Sequence, residues 1–600
     1  MKNSISKKAL SAFLAIMMIF ATMAGMFTFS ASAAEAETTW APAGADTWDK
    51  HYSLDWYGTT EMAADTNTVT IEGKHYKVFG YTKTNGEIIK EFIIDSEEDL
   101  AGLAVLTNTA TSAKRQAPFF ANCAFKITKD IDLSKNYWVP IAAKYNNSSS
   151  TPWAFGGRLI GAKNGADGSS ITITGMKIDL NDTSYRMYAA GLVGVQIGGA
   201  IENITLSGAT VDSTSPFGVG SFVGRQLGTN AVGGSTYDGA TCTYTNLASD
   251  AKINKTSTNT DKHNAAGGIV GSLNDAANNN QDGKASTTFT NCTFTGTISN
   301  TGSASGGIVG YTETNPSLER FISCNVTSDS ITAGTNSSTD DGVGGLAGFV
   351  LGGVYAEDCN VTVSSIKSNN AGIPAGGFIG SSFNYNLTLD GCSFIGKVEG
   401  VDGTIKGLAI GSKTQAPLLT ITECIINSTE NAINWIGSIE FATNATVTIS
   451  SNTSSVLTKY YDGATSVPAI KDANETTIKD LGIQMSNDGT KMRVSAQILG
   501  KEYDKAGFEF YVTYTIDDVV KSSKINAKDV STCYTSIKAG DKTIYADSEY
   551  YYIVFVIDGF DSATMSDISI GFAASVTKDA TVTWSDSAYC DATVEVTQPG

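Results

Sequence analysis

Histidine is scarce in this chain of 600 residues, which has only His51, His75 and His263. No two of them have the His-x-x-x-His spacing by which a helix holds zinc in metallopeptidases. No G-x-S-x-G sequence lies at a strand-to-helix turn, so a serine nucleophile with a histidine base is not indicated. The sequence therefore predicts no catalytic residue, no metal ligand and no cofactor.

Proline and basic residues are also few. Ten prolines stand against 61 glycines, and Thr, Ser and Asn are abundant, which favours many short strands and tight turns over helices. Lys and Arg total 41 against 60 Asp and Glu, which gives a formal charge of −19. Because like charges repel, nucleic acid and anionic membranes are not expected as partners.

A long apolar run occurs at the beginning of the chain. Three lysines precede an apolar stretch over residues 9–29 and the small-residue sequence SASAAEA. This order is typical of a secretory signal peptide cut near Ala33 or Ala34, with a retained membrane anchor as the alternative. No later apolar segment is long enough to span a membrane. We predict a secreted or extracellular protein, free or associated with the cell envelope.

Two short sequences recur along the middle of the chain. The first is a glycine-rich strand, such as GGIVG or GGLAG, whose last residue is Gly194, Gly224, Gly271, Gly310, Gly348, Gly380 or Gly411. The second is a strand centred on Cys242, Cys292, Cys324, Cys359, Cys392 or Cys424, with Ile204 in the equivalent place one unit earlier. Sequences that recur every few tens of residues indicate a repeat architecture.

The cysteine strand alternates between apolar and polar side chains. Two places after Ile204 and after each of these cysteines stands a large apolar residue: Leu206, Tyr244, Phe294, Val326, Val361, Phe394 or Ile426. Strand side chains point to opposite faces in turn, so these residues and the cysteines are predicted to face inward. A unit this short cannot bury its own inward face, but stacked units join their faces into one core.

Cysteine suits such a core because it is small and apolar. Stacked residues lie about 4.8 Å apart with parallel side chains, whereas a disulfide needs Cβ atoms about 3.8 Å apart. We therefore predict a ladder of free, buried thiols, with disulfide bridges as the alternative. Whether Cys533 and Cys590 form a pair stays open. The paired glycines are expected to allow sharp corners and close packing between coils.

The GGIVG, GGLAG and GLVG strands resemble the GLUG-type repeat of bacterial surface proteins, which are often adhesin-like. Residues 153–178 resemble the coil that precedes those repeats. Residues 93–108 and 125–141 are similar to the leading segment of that family, a capping helix and then a strand ending in Trp-x-Pro-Ile. The resemblance covers about residues 90–450, although several loops are longer than the compact repeat needs. Together with the crossover rule for parallel strands, it implies a right-handed parallel β-helix of about eight coils.

The predicted fold class is therefore all-β: a right-handed parallel β-helix with an N-terminal capping helix and a C-terminal antiparallel β-sandwich. The predicted divisions are a signal peptide at 1–33, an N-terminal segment and cap at 34–150, β-helix repeats at 151–455, and an Ig-like sandwich at 456–600. The sandwich is inferred from alternation without a repeat, as in GFEFYVTYTI and YYYIVFVI. That segment also resembles a C-terminal module of Firmicutes surface proteins.

Two sets of residues are candidates for ligand binding. The first set consists of the aromatic residues Trp40, Trp48, Trp56 and Tyr57. Aromatic rings stack on sugar rings, although these residues could instead pin an N-terminal segment to the solenoid. The second set consists of the outward-facing hydroxyls Thr205, Thr243, Thr293 and Thr295. A hydroxyl array could bind sugars or ice, but threonine is also simply a good exposed strand residue.

These features predict a secreted or cell-surface binding or adhesion protein that engages a glycan or another cell's surface through the loops and faces of a β-helix. One alternative is a β-helix polysaccharide lyase or glycoside hydrolase, which would need carboxylates such as Asp179, Asp182 and Asp212 to converge. Another is a passive stalk or coat component. The sequence indicates neither the ligand nor the oligomeric state.

Overall fold

The structure is a computed structural model. It describes residues 40–58, 67–79, 81, 88–109, 118–145, 154–181, 187–215, 217–227, 242–257, 264–274, 287–313, 318–334, 341–383, 385–428, 433–450, 452–454 and 459–461, together with the backbone of the strands given below between residues 478 and 592. The predicted signal peptide lies outside these residues.

Short strands from successive coils pair side by side in parallel, so the chain forms a parallel β-helix. Five strand positions recur from coil to coil, and we name them sheets A to E in their order within one coil, beginning with the strand that contains Val270. Sheets A to D are joined within one 30-stranded sheet, whereas sheet E is a separate six-stranded sheet. The predicted all-β fold with a parallel β-helix is confirmed, and its right-handedness stays a prediction.

Sheets A and B lie next to each other along each coil. Sheet A contains Val193–Gln196, Val223–Leu227, Val270–Asn274, Val309–Thr312, Ala347–Val350, Ile379–Phe383 and the first parts of Ile410–Thr422 and Ile436–Ser450. Sheet B contains Lys90–Ile94, Cys123–Ile127, Arg158–Gly161, the first parts of Ala200–Ser207 and Thr243–Ser249, then Thr288–Thr290, Leu318–Ile322, Gly353–Glu357, Leu387–Asp390 and the last parts of Ile410–Thr422 and Ile436–Ser450.

Sheets C, D and E complete each coil. Sheet C contains Ile131–Asp132, Ile171–Thr174, the last parts of Ala200–Ser207 and Thr243–Ser249, then Thr293–Phe294, Asn325–Ser328, the first parts of Asn360–Ser368 and Ser393–Gly400, Ile425–Ser428 and Thr453–Ser454. Sheet D contains Lys177–Leu180, Thr210–Ser213, Lys252–Lys255, Thr297–Asn300, Ile331–Ala333 and the last parts of Asn360–Ser368 and Ser393–Gly400. Sheet E contains Val219–Gly220, Ala265–Gly267, Ala304–Gly306, Gly342–Gly344, Ala375–Gly376 and Lys406–Gly407.

The core is built from columns of like side chains at the same position in successive coils. On sheet A the inward column is Val193, Val223, Val270, Val309, Ala347, Ile379, Ile410 and Ile436. On sheet B, Tyr244, Phe289 and Phe321 stack face to face, with ring centroids 5.0 and 5.3 Å apart. All three aromatic side chains are buried. Stacking of this kind stabilises neighbouring coils beyond the burial of their apolar area.

The recurring glycines lie where sheets A and E pack against each other at backbone distance. A Cβ on Gly310 would lie 2.6 Å from the carbonyl oxygens of both Ala266 and Gly271. A Cβ on Gly348 would lie 2.4 Å from the carbonyl oxygen of Gly310 and 2.6 Å from the backbone nitrogen of Ser305. Glycine is required because no other residue leaves room for this approach. The predicted close packing around the glycines has this physical basis.

The corner between sheets B and C is made by one residue in the left-handed region. At this corner Asn203, Asn246, Asn291, Ser323, Asp358 and Glu423 have φ between 50° and 58°. Short polar side chains tolerate this conformation better than apolar ones. The amide of Asn246 donates to Asn203 Oδ1 at 2.8 Å, and that of Asn291 donates to Asn246 Oδ1 at 3.1 Å. In these six coils a polar residue therefore marks the corner directly before the inward residue of sheet C, whereas Gly391, with φ 61°, takes that place before Cys392.

One α-helix, Glu97–Asn108, lies in the described part of the chain, between the first two strands of sheet B. It begins after Ser96, whose hydroxyl accepts a hydrogen bond from the Asp99 N–H at 3.1 Å. Leu100, Leu103, Ala104 and Leu106 are buried in the solenoid core. On another side, a Cβ on Gly102 would lie 2.0 Å from the Ser53 carbonyl oxygen, so the helix is held between the coils and the N-terminal segment.

The remaining elements lie before the coils, in loops and in the C-terminal region. The 3₁₀ helices are Trp48–Lys50, Asp55–Tyr57 and Lys163–Gly165, and the antiparallel pairs are Thr68–Ile71 with Lys74–Lys77 and Lys144–Tyr145 with Met187–Tyr188. The C-terminal region contains three antiparallel sheets. The first consists of Ile478–Met485, Lys491–Leu499, Tyr550–Asp558 and Cys533–Tyr534, and the second of Val519–Asn526, Phe508–Ile516, Ile568–Lys578, Thr581–Trp584 and Ala588–Ala592. The third consists of Ile537–Ala539 and Lys542–Tyr545. Their packing as a sandwich stays a prediction.

Candidate functional site

Five of the predicted ladder cysteines form one inward column. Cys292, Cys324, Cys359, Cys392 and Cys424 each directly precede a residue that pairs with its counterpart in the next coil of sheet C. All five are free and fully buried. The Cys359 thiol donates to the Phe321 carbonyl at 3.3 Å, so a thiol also links its coil to the preceding one. The column is part of the core rather than a surface for ligands.

Cys242 lies outside this column, contrary to the predicted ladder. Ser249, not Tyr244, pairs with Phe294, and Leu247 takes the position that Cys242 was expected to hold. Cys242 is buried before the sheet B strand of its coil rather than before the sheet C strand. The error has a local cause: Cys242 and Tyr244 have the spacing of a ladder cysteine and its apolar partner but lie before the corner, whereas Leu247 and Ser249 take the positions after it.

Burial decides the chemistry of three of the ladder thiols. It raises the pKa of Cys292, Cys359 and Cys424 well above the ordinary value for a thiol. The charged thiolate is disfavoured in an apolar interior, and the thiolate is the reactive form. These cysteines are therefore unsuited to nucleophilic catalysis.

The aromatic residues predicted as a sugar platform are enclosed by protein. Trp40, Trp48 and Tyr57 are 8%, 2% and 4% exposed. Trp56 is partly buried and packs edge-on against Phe92, with ring centroids 5.2 Å apart. An enclosed ring has no free face for a sugar to stack on, so the burial of Trp40, Trp48 and Tyr57 contradicts their binding role. It favours the alternative that this segment is pinned to the solenoid.

The structure does not bring the predicted threonines together. Thr205 and Thr293 share the outer column of sheet C but are separated by Ala248 in the intervening coil. Thr295 is exposed just after the strand that contains Thr293. Thr243 lies on sheet B, beyond the corner. The four hydroxyls therefore do not form one array.

In later coils the outer column of sheet C is satisfied from within. Asn325, Asn360 and Ser393 are 7%, 2% and 3% exposed. The Asn360 amide donates to Asn325 Oδ1 at 3.1 Å, and the Ser393 hydroxyl donates to Asn360 Oδ1 at 2.5 Å. Their hydrogen-bonding groups stabilise the coil stack and are not displayed to a ligand.

The outer face of sheet B does present a continuous column. In order it carries Thr243, Thr288, Arg320, Tyr355, Thr388, Thr420 and Thr448. A second outer column, two residues further along each strand, carries Thr245, Thr290, Ile322, Glu357, Asp390 and Thr422. With about 4.8 Å between strands, the first column spans about 29 Å. We call these two columns the sheet B face.

A cation and an aromatic ring lie at the centre of the sheet B face. The Arg320 guanidinium lies 5.2 Å from the centroid of the Tyr355 ring, within the range of a cation–π contact. The Tyr355 hydroxyl donates to Glu357 Oε2 at 3.1 Å. Burial and the Glu357 carboxylate raise the pKa of Tyr355, so the phenol stays protonated at neutral pH. The ring is thus oriented by Arg320 over one face and by Glu357 at its hydroxyl.

Carboxylates surround this centre. Asp390 accepts a hydrogen bond from the Thr422 hydroxyl at 2.5 Å. Burial, and then the charge of Glu357, raises the pKa of Asp358 at the adjoining corner. Within the described residues, no group of three or more His, Cys, Asp and Glu side chains is arranged to hold a metal ion. The local field therefore favours neutral or cationic ligands over acidic ones.

Two of the three carboxylates considered for catalysis lie side by side on sheet D. Asp179 and Asp212 pair in adjacent coils, and burial together with the charge of Asp212 raises the pKa of Asp179. The Asn181 amide donates to Asp179 Oδ1 at 2.8 Å, and the Asn254 amide donates to Asp212 Oδ1 at 3.2 Å. Asp182 lies outside the described residues.

The sequence contained a signal for the sheet B face. The residue four places before each ladder cysteine is Thr288, Arg320, Tyr355, Thr388 or Thr420. These residues directly precede the inward residue of sheet B, so the same alternation that buries the core displays them. The predicted threonines Thr293 and Thr295 follow the cysteine in the chain, whereas the sheet B face belongs to the strand before it.

Comparisons with known proteins give little further information. No family model and no curated protein matches the chain. Among solved structures, the chain is similar to the crystal structure of the enzymatically active domain of bacteriophage CBA120 tailspike protein 4, with 10% identity over 88% of this chain and 71% of that one, at a TM-score of 0.22. A likeness at this TM-score carries no argument about fold or function. Separately, the described residues contain no helix long and apolar enough to cross a membrane.

Proposed function

We propose that this chain is an exported surface protein that binds a neutral glycan along the sheet B face. The observation that carries the proposal is the arrangement of Arg320 and Tyr355 at the centre of a column whose other members, from Thr243 to Thr448, are threonines. An extended polymer can lie along such a face and contact several coils at once. Export and the adhesin-like role are supported by the signal-like leader and by the GLUG-type strands.

The chemistry of the face suits sugars. Threonine hydroxyls donate and accept hydrogen bonds, and a tyrosine ring offers an apolar surface with a polar tip. Tyr355 is oriented before any ligand arrives because Arg320 lies over one face of its ring and Glu357 accepts a hydrogen bond from its hydroxyl. Pre-organisation of this kind lowers the entropic cost of binding. Nearby carboxylates and the net charge of −19 disfavour acidic polymers.

A glycan-array screen of the chain from residue 34 onward tests the proposal. The glycans that bind are then titrated against Tyr355→Ala, for which we expect binding at least tenfold weaker, about 1.4 kcal/mol. Tyr137→Ala is the matched control, because Tyr137 also has a cation over its ring, with Lys177 Nζ 5.4 Å from the centroid, but lies away from sheet B. Equal loss in both variants, or none in Tyr355→Ala, rejects the sheet B face as the binding surface.

Glycan cleavage is a second candidate function, favoured by the adjacent carboxylates Asp179 and Asp212 and by the raised pKa of Asp179. A carboxyl group with a raised pKa beside an ionised one is suited to donate a proton to a glycosidic oxygen. The test is release of new chain ends from a bound glycan by the wild type and by Asp179→Asn. Cleavage that Asp179→Asn abolishes supports this candidate, whereas binding without any release rejects it.

A further inference from the structure

Lys413 is an inward-facing lysine on sheet A. Its side chain is only 1% exposed. It aligns with Ser382 in the preceding coil and with Ile439 in the following one. An ammonium group taken out of water is costly unless hydrogen bonds and an opposite charge compensate it. The surroundings of Lys413 therefore call for a negative partner.

The described residues provide only part of the hydrogen bonding that the buried Lys413 ammonium needs. The Lys413 ammonium donates to the Thr414 carbonyl at 3.3 Å, which uses one of its three N–H groups. Ser382 is completely buried, and its hydroxyl has no hydrogen-bond partner among the described residues. Two donors thus lie at paired positions of adjacent coils in the same inward column, and the hydroxyl has no acceptor among the described residues.

The charge of Lys413 is likewise uncompensated. Burial lowers its pKa to about 8, and no charged group among the described residues contributes to that shift. Most of the lysine is still protonated at pH 7, so a positive charge lies within the core. A carboxylate partner would have raised the pKa instead.

The neighbouring residues of the column limit the size and charge of a partner. Val350, one coil before Ser382, is fully buried and apolar, and Ile439 beyond Lys413 packs against the core. A polyatomic or divalent anion would need more donors than one ammonium and one hydroxyl supply. A small monovalent anion needs only these two.

We propose that Lys413 and Ser382 bind a halide-sized anion, chloride in ordinary salt solution, within the core beside sheet A. The anion accepts hydrogen bonds from the ammonium and the hydroxyl and neutralises the buried charge. It also links two adjacent coils, so its binding stabilises the folded chain. Water molecules in the same place are the competing occupant.

Unfolding of the chain in sodium chloride and in sodium gluconate of equal ionic strength tests this proposal. Gluconate is too large for the site, so we expect stabilisation by chloride alone. At a chloride concentration ten times Kd, the unfolding equilibrium constant falls about elevenfold. Lys413→Met should remove the chloride dependence, whereas Lys252→Met, at an exposed position of sheet D, should retain it. Equal behaviour of the wild type in the two salts, or the same chloride dependence in Lys413→Met, overturns the proposal.

A second measurement on the wild type keeps the test valid if Lys413→Met fails to fold. Crystals soaked in bromide should show an anomalous peak between Lys413 Nζ and Ser382 Oγ. Water density at that place without a bromide peak overturns the proposal in favour of a hydrated lysine.

Discussion

Gly310→Ala is the perturbation that most directly probes the close packing of sheets A and E. The added Cβ would lie 2.6 Å from two carbonyl oxygens, those of Ala266 and Gly271. Contacts below 3.0 Å are essentially never made by real Cβ atoms. Because both neighbours are backbone atoms held in parallel ladders, neither can move aside as a flexible side chain would.

The magnitude follows from two opposing terms. Overpacking of a well-packed interior costs about 1–3 kcal/mol, and the upper part of the range applies where backbone must shift. Replacing glycine by alanine also restricts the unfolded chain, which returns about 0.4–1 kcal/mol. We expect a net loss of about 2 kcal/mol in the local free energy of opening.

Hydrogen exchange measured by mass spectrometry is the suitable assay, because it reports stability segment by segment in a chain of several parts. Protection should fall in peptides covering Ala265–Gly267, Val270–Asn274 and Val309–Thr312, the strands that contain Ala266, Gly271 and Gly310. Ser299→Ala, at an exposed position of sheet D, is the control and should change little. Unchanged protection in Gly310→Ala would refute the argument that the two sheets meet at backbone distance.

Three further outcomes are expected. In chloride-free buffer, Lys413→Met should stabilise the chain by up to about 3 kcal/mol at pH 7; because the folded pKa of about 8 lies below the unfolded 10.5, the gain should vanish as pH rises from 8 to 10.5, as pH-dependent denaturation would show. Phe321→Ala, which removes a fully buried ring stacked on Phe289, should cost about 3–5 kcal/mol in denaturant titrations. Cys359→Val should cost less than about 1.5 kcal/mol, whereas Cys359→Asp should prevent folding as judged by circular dichroism, because it places an unpaired charge in the core. Equal effects of the two Cys359 substitutions would contradict the buried position of this residue.

The solenoid could be predicted because its physics is local and repeated. A buried thiol such as Cys324 or Cys359 fixes the inward face of one strand, and period-two alternation then gives the residues on both sides. The recurring glycines mark the close approach of sheets A and E in the same way. These signals remain strong because every coil must satisfy the same packing.

The sheet B face and the position of Cys242 were harder to predict. Which strand lies on which side of a corner depends on the backbone conformation of Asn246, a tertiary property that the order of residues only hints at. The loops that join the glycine-rich strands to the cysteine strands vary in length, so counting residues does not show which residues pair between coils. Burial of Trp48 is also a tertiary property, because it depends on where the N-terminal segment packs.

The burial of the polar residues Lys413 and Ser382 could not be predicted from the sequence either. Nothing in the local sequence around Lys413 distinguishes an exposed lysine from a buried one. Its burial follows from alignment with Ser382 and Ile439, residues about 30 places away on either side. Only the stacking of coils brings them into one column.

The central claim is that successive coils stack in register, so that residues far apart in sequence form one straight face. A distance between spin labels at Thr243→Cys and Thr448→Cys tests it, with Cys533 and Cys590 replaced by serine and the buried ladder thiols left unlabelled. The register predicts a single peak, with the two backbones about 29 Å apart, corresponding to six strand spacings. A distribution without a peak near that separation would contradict the stack and, with it, the proposed binding face.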